Sequence, residues 1–241
     1  MRRPTRGGGR RALVLTACIA ALAVAGCGAA PGASPAASAV PAASAEPSAA
    51  PSGSAGPAPL ATPLPPGAFT FDLPAGWVAV PVTGSHDALL ADIRAQNPAL
   101  AESLAARLAN LSGTTTYVAF DASADALKKG DLAMLVVTEV ALPADVALQT
   151  FATTIKGQVE QLVEGTVDLR QILIASGQAF SLAYRAPLTR PDGKTGAAAL
   201  TQVLYVLPGR GYVMTFAVPL NRADDYSQAI ADIATSFRIR Q

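Results

Sequence analysis

Cysteine and histidine are scarce in this sequence, and their scarcity excludes most metal and nucleophile chemistry. The 241 residues contain two cysteines, Cys18 and Cys27, and one histidine, His86. A structural zinc site takes four ligands, mostly Cys and His, and the chain after Cys27 offers only His86. The same region has no cysteine pair for a disulfide, so its stability must come from burial of apolar side chains. We therefore predict no metal ligand, no cofactor and no catalytic residue.

Charge is also sparse and unevenly placed. Charged residues are 15% of the chain, and five of its 18 basic residues are arginines within residues 1–11, where no acid occurs. Without that segment, 13 basic residues remain against 17 acidic ones, so the net charge changes from +1 to −4. The remaining basic residues are scattered, with Lys128 and Lys129 as their one adjacent pair. Nucleic-acid binders show a basic stripe, so we predict no nucleic-acid partner.

Residues 1–26 have the pattern of an export signal. An arginine-rich start is followed by an apolar run over residues 12–24 and then by small residues, as in a signal peptide. This run of about 13 residues is shorter than the ~20 needed to span a bilayer.

The end of this segment resembles the bacterial lipobox. Val24-Ala25-Gly26-Cys27 gives a branched apolar residue, two small residues and then cysteine. The resemblance implies attachment of diacylglycerol to the Cys27 thiol and cleavage between Gly26 and Cys27. The alternative lipobox ending at Cys18 leaves only four apolar residues before the cut, and an ordinary cleavage site is the other alternative for Cys27. We predict a lipid anchor at Cys27 that holds the protein at the extracytoplasmic face of a cell membrane, where two acyl chains bind stably.

The segment that follows Cys27 is rich in Ala, Pro, Ser and Gly. Residues 28–66 contain one charged residue, Glu46, and no aromatic residue. Such a composition cannot bury enough apolar surface to offset the entropy of ordering, so residues 27–66 are predicted to be a lipidated cysteine with a disordered tether. As a flexible coil the tether has a mean span of about 35 Å.

Residues 67–241 are predicted to form a single globular domain of the α+β class. Alternating and apolar runs predict strands at 69–73, 78–82, 115–120, 132–140, 166–175, 178–187, 196–207 and 211–218. Apolar residues at helical spacing predict a short helix after Asp87 with Leu89, Leu90 and Ile93 on one side, a second helix capped by Asn97, a long helix at about 144–164 and a helix at the C-terminus. The segment 121–131 is predicted to be a polar loop. Hairpin-linked strands with helices between the groups indicate an antiparallel sheet flanked by helices.

The start of this region is similar to the Mog1/PsbP-like superfamily. The resemblance is carried by Phe69, Phe71, Pro74, Gly76 and Trp77, and by a last helix ending at residues 236–238. It implies an α/β/α sandwich whose characterised relatives mostly bind proteins rather than catalyse reactions. The helical pair at about 86–111 departs from the pattern and is interpreted as an insertion after the second strand.

Several short motifs resemble chemical sites, and each has a simpler structural interpretation. Ser85-His86-Asp87 cannot form a triad, because a triad needs three side chains that converge in space; a helix N-cap with an acid in the first turn is favoured. Asp121-Ala122-Ser123-Ala124-Asp125 alternates like a calcium loop but lacks the glycine and glutamate of an EF-hand, which favours a solvated loop. Residues 191–195 end like a phosphate loop, but Leu188 stands where the first glycine belongs, so a hairpin turn is predicted.

The remaining candidates are single residues or pairs. Glu160 and Glu164 are predicted to share a water-facing helix side. Trp77 is predicted to be a packing residue. Tyr184 and Arg185 are predicted to lie on opposite faces of one strand, so at most one of them faces a groove.

The function that the sequence favours is a non-catalytic domain on a membrane anchor that binds an envelope protein or another envelope component. One alternative is a carrier of a lipid or small molecule, with a pocket between the sheet and the 86–111 pair. A second alternative is a hydrolase that uses carboxylates.

Overall fold

The computed structural model describes residues 69–130, 132–189 and 195–240, and for residues 188, 189 and 195 it describes the backbone only. The predicted signal peptide, Cys27, the tether and the turn at 190–194 lie outside the described residues. Nine strands occur in the described part: β1 Phe69–Thr70, β2 Trp77–Val80, β3 Thr115–Asp121, β4 Met134–Ala141, β5 Asp168–Ile174, β6 Gly177–Thr189, β7 Thr195–Leu207, β8 Arg210–Pro219 and β9 Arg238–Ile239. It also contains five α-helices: α1 Asp87–Gln96, α2 Pro98–Ala109, α3 Ala124–Lys129, α4 Leu148–Glu160 and α5 Ala223–Ser236.

Seven of the strands form one antiparallel sheet in the order β2-β3-β4-β8-β7-β6-β5. The long hairpin of β7 and β8 lies near its centre, where Tyr205 is opposite Tyr212. Strands β6 and β7 pair from Phe180 opposite Leu204 to Thr189 opposite Thr195. The two short strands β1 and β9 form a separate antiparallel pair.

One face of the sheet is covered by two groups of helices. Helices α1 and α2 bury Ile93, Leu100 and Leu104 against Val118 and Phe120 of β3. Helix α4 covers the other half of this face, with its buried residues against strands β6, β7 and β8. The α1–α2 pair therefore fills its apolar side by packing on the sheet.

The opposite face carries α5 and the β1–β9 pair. An aromatic cluster closes this side, with ring centroids 5.3 to 6.0 Å apart among Phe69, Phe71, Tyr117, Tyr205, Tyr212 and Phe237. The sheet thus lies between two layers, as an α/β/α sandwich. The predicted α+β class and antiparallel sheet are confirmed.

Several predicted boundaries were wrong. The segment 121–131 is not a loop throughout, because it contains α3, where the hydroxyl of Ser123 accepts a hydrogen bond from Ala126 N at 3.3 Å and Gly130 ends the helix with φ of 70°. Helix α4 ends at Glu160, so Glu164 does not share a helix side with it. The first strand is only two residues long. The cap at Asn97 is confirmed, since its Oδ1 accepts a hydrogen bond from Leu100 N at 3.1 Å.

Candidate binding groove beside the C-terminal helix

Strands β6 and β7 have a buried face and an open face. Leu182, Tyr184 and Leu200 are buried beneath α4. Their neighbours in the chain alternate to the other face, as strand geometry requires, and there they are small or polar and either exposed or half-buried. We call this area the open sheet surface: Ser181, Ala183, Arg185, Ala199 and Thr201.

Helix α5 forms the wall beside this surface. It is amphipathic, with Tyr226 and Ile233 buried, and Asp224 and Asp225 lie in its first turn, where acids stabilise the helix dipole. Toward the open sheet surface it presents small residues at a spacing of four, which share one side of a helix. They are Ala223, Ser227, Ala231 and Thr235.

The space between this wall and the sheet is a groove of about 340 Å³. Its base is formed by Ile172, Ser181, Thr201, Val203 and Val218 with Ala199, and Ile230 and Ala234 of α5 complete its wall. No charged residue lines it within the described part of the chain. We call this space the α5 groove; its polar groups are four hydroxyls, on Ser181, Thr201, Ser227 and Thr235.

The groove continues into a wider and more polar end. This second space, of about 600 Å³, shares Ala199, Thr201 and Ala223 with the groove. Arg185 and Glu164 border it. The exposed guanidinium of Arg185 has no ion-pair or hydrogen-bond partner among the described residues. The site therefore combines an uncharged channel with an open end that carries one unpaired cation, Arg185, and one exposed acid, Glu164.

Buried contacts fix the start of α5 to the rest of the sheet. The hydroxyl of Tyr226 donates a hydrogen bond to Asp121 Oδ2 at 2.7 Å, and Ser123 N donates to Asp121 Oδ1 at 2.8 Å. Arg222 lies over the Tyr226 ring, 5.0 Å from its centroid, and pairs with Asp125 and Asp225 at 3.3 and 3.0 Å. Burial, with the Asp121 hydrogen bond as a second cause, raises the pKa of Tyr226. The position of the groove wall is therefore set by these contacts.

Most residues singled out from the sequence lie apart from this groove, whereas Glu164, Tyr184 and Arg185 border its wide end. His86 precedes α1 and its Nε2 lies 2.7 Å from the carbonyl oxygen of Pro81, while the hydroxyl of Ser85 accepts a hydrogen bond from Asp87 N at 3.1 Å. The predicted helix start is confirmed, with His86 at the N-cap position and Asp87 in the first turn, but the side chain of His86 makes no capping hydrogen bond. Trp77 packs edge-on against Tyr226 with centroids 6.4 Å apart, which agrees with a packing role.

The acidic candidates do not converge. Asp121 is buried by its contact with Tyr226 and Asp125 pairs with Lys129 and Arg222, so the solvated loop predicted around them was wrong. Glu160 pairs with Lys156. In the described residues no group of three or more His, Cys, Asp or Glu side chains is arranged to hold a metal ion.

The pair Tyr184 and Arg185 lies at the wide end of the groove. Tyr184 is buried under α4 and Arg185 is exposed on the opposite face at the wide end of the groove, so the predicted opposition is confirmed. Sequence reasoning missed the groove itself. The available signal was the spacing of small residues along α5 together with the small residues of β6 and β7, but only the sheet order brings the two together.

No described helix is long and apolar enough to cross a membrane. The lipobox residues Gly26 and Cys27 lie outside the described part, so the anchor stays a prediction.

Comparisons with known proteins find similarity in three-dimensional structure. No protein-family model matches the sequence, and no curated protein matches it. Among solved structures, cyanobacterial PsbP from Synechocystis aligns at 16% identity over 72% of this chain and 87% of its own, with a TM-score of 0.42. LpqN of Mycobacterium tuberculosis, a protein involved in cell envelope biogenesis, aligns at 13% identity over 72% and 83%, with a TM-score of 0.44. The Ran-binding protein Mog1p of Saccharomyces cerevisiae aligns at 13% identity over 72% and 90%, with a TM-score of 0.40. At these values the similarities assign neither a family nor a function to the chain.

Proposed function

We propose that this chain is an exported lipoprotein, cut before Cys27 and anchored by acyl chains on that residue, whose domain binds an envelope protein through the α5 groove without catalysis. The groove is the observation that carries the binding role. It is an open channel beside a helix, and the small side chains Ala223, Ser227 and Ala231 along its wall let another backbone approach closely.

The lipobox at residues 24–27 supports the anchor. Removal of the leader would leave Cys27 as the one cysteine of the mature chain, and two acyl chains give stable attachment where one is marginal. The composition of residues 28–66 supports a tether that separates the domain from the membrane surface.

The Mog1/PsbP-like assignment is part of the same proposal. Residues of the opening motif have packing roles here: Phe69 and Phe71 lie in the aromatic cluster, and Gly76 has φ of 88° in a turn where Trp77 N donates to Pro74 O at 3.1 Å. These contacts support a structural rather than a chemical role for the motif.

The anchor is tested with Cys27→Ala in the full chain. We expect the wild-type protein to remain with membranes after an alkaline wash and the variant to appear in the soluble fraction, because no lipid can be attached. The matched control is Cys18→Ala, which should stay on the membrane. Retention of Cys27→Ala on washed membranes would show that the anchor lies elsewhere.

The groove is tested with a photo-crosslinking amino acid placed at Ser227 or Thr201 of the full chain in intact cells. We expect a discrete protein adduct from both positions. The control position is Thr153, which is exposed on α4 on the opposite side of the sheet. Adducts of equal yield from Thr153, or none from the groove, would count against the proposal.

The alternative function, a carrier of a lipid or small molecule, predicts a different experimental result. The uncharged lining of the α5 groove would also accept an acyl chain, whereas the apolar residues of α1 and α2 already contact the sheet. Native mass spectrometry of the full chain would then show a co-purified small molecule. Its loss on substitution of Ala231 by Trp, with no effect of the same change at Ala91 of α1, would favour the carrier.

A further inference from the structure

The face that carries α5 has the shape of a step. Helix α5 stands above the sheet as the high part, and the open sheet surface beside it is the low part. A step is complementary to a copy of itself turned about a two-fold axis parallel to its edge, because each high part then lies over the other low part. Such isologous contacts are the commonest way in which identical chains pair.

The charges on the two parts are complementary. Helix α5 contains Asp224, Asp225 and Asp232 and no basic residue. Asp225 is paired with Arg222, which leaves Asp224 and Asp232 exposed on the outer side without a cation. On the open sheet surface Arg185 has no partner in the described part of the chain, whereas Arg170 at its border is paired with Asp168 at 2.6 Å. At the wide end the high part thus offers the carboxylate of Asp224 and the low part offers the unpaired cation Arg185, with the exposed Glu164 also on the border.

The direction of α5 decides which charges would meet. Its first turn lies at the wide end of the groove, where Ala223 and Arg185 are both lining residues, and Thr235 lies beside Ile172 at the other end. A two-fold axis parallel to the helix keeps the two copies of α5 parallel. Asp224 of one copy would therefore lie above Arg185 of the other.

We propose that the occupant of the α5 groove is α5 of a second copy of this chain, so that two domains pair face to face on the membrane. This rests on the proposed function of the groove and names its partner. The small residues at Ser227 and Ala231 face the same residues of the second copy and let the two helices approach to about 8 Å.

The size of the contact predicts a weak dimer in solution. Helix α5, with 14 residues, is about 21 Å long, and a contact two helices wide covers a footprint of about 20 by 20 Å. This lies below the standard protein interface, which buries about 800 Å² per partner. Anchoring both chains to one membrane would raise their effective concentration and favour pairing there.

The proximity of the two helices is tested by thiol crosslinking. The full chain with Cys18 and Cys27 replaced by Ser has no thiol, and Ser227→Cys then adds a single one. We expect a short bis-thiol crosslinker to give a covalent dimer. Thr153→Cys in the same background should stay monomeric, and equal yields from the two positions would overturn the two-fold contact.

The charge pairing is tested by reversal and rescue. Sedimentation of the cysteine-free full chain should show at least a ~10-fold weaker dimer for Arg185→Glu and for Asp224→Lys, since each places like charges together. The double variant should recover most of the loss because the pair is restored in reverse. Additive weakening in the double variant would overturn the assignment of Arg185 and Asp224 as partners.

The crosslinking experiment in cells separates this inference from the function on which it rests. An adduct from Ser227 at twice the mass of the chain supports self-association. An adduct of another mass leaves the groove as a binding site and overturns the second copy as its occupant. The absence of any adduct overturns both.

Discussion

Two tyrosines show how differently a buried hydroxyl contributes to this domain. Tyr226 donates to the buried carboxylate of Asp121, whereas the hydroxyl of Tyr184 is buried and has no hydrogen-bond partner among the described residues. Burial raises the pKa of both phenols. The hydroxyl of Tyr226 therefore stabilises a buried carboxylate, whereas burial of the Tyr184 hydroxyl has a desolvation cost that no hydrogen bond offsets.

We predict opposite effects when each hydroxyl is removed. Tyr226→Phe keeps the ring against Trp77 and Arg222 but leaves an oxygen of Asp121 unsatisfied, so the free energy of unfolding should fall by about 1–3 kcal/mol. Tyr184→Phe should leave it unchanged or raise it, because nothing loses a partner. Urea unfolding of the two variants gives the comparison, and an equal loss in both would contradict the role of the Asp121 contact.

The sequence predicted some of these residue roles and missed others. Packing of Trp77 and the cap at Asn97 followed from local patterns. The burial of Asp121 did not, because its partner Tyr226 is 105 positions away and only the fold brings them together. The burial of Arg107 was also missed, because arginine side chains are mostly exposed. This side chain lies on the same side of α2 as Leu100 and Leu104 and is buried, and the loss of solvation lowers its pKa.

At the scale of elements, helix α4 packs very closely against strand β8 at one position. Gly211 of β8 has no side chain where the ring of Phe151 passes, and a Cβ there would lie 2.8 Å from Phe151 Cζ and 2.9 Å from Leu142 Cδ1. Both neighbours are buried and have little room to move.

Two glycine-to-alanine substitutions test this packing, and each adds the same methyl group in a different environment. Gly211→Ala should lower the free energy of unfolding by about 1–3 kcal/mol, the usual cost of overpacking. Gly157→Ala lies within α4 with open space around it and should raise the same quantity by up to about 1 kcal/mol through helix propensity. Thermal or urea unfolding measures both, and a neutral Gly211→Ala would show that α4 shifts freely on the sheet.

The elements themselves were largely predictable, because apolar periodicity reports which side is buried. Helix α3 was missed because six residues give too short a pattern, although Ser123 and Gly130 are ordinary start and stop signals. The α5 groove could not be predicted for a different reason. Its wall and base come from α5 and from strands β5 to β8, and their adjacency depends on strand order rather than on local sequence.

At the scale of the whole molecule, the aromatic hydroxyls make the fold sensitive to high pH. All five tyrosines of the chain have a pKa raised above its ordinary value, with burial as the first cause. For Tyr212 burial, with the charge of Glu139 as a second cause, raises the pKa to about 12. The folded protein therefore keeps protons that the unfolded chain releases above pH ~10.

The sign of the pH dependence follows from this difference. Below pH ~10 both states hold the phenolic protons, so the tyrosines give no slope; above it the unfolded state binds fewer protons, and the free energy of unfolding falls as pH rises toward the folded-state pKa values. We expect urea midpoints to decline between about pH 10 and about pH 12, with tyrosinate absorbance appearing together with the loss of near-ultraviolet dichroism. Tyr184→Phe should reduce the slope, because it removes one shifted phenol. Half-complete tyrosinate absorbance at pH ~10 in a protein that keeps its dichroism would contradict the burial of these rings.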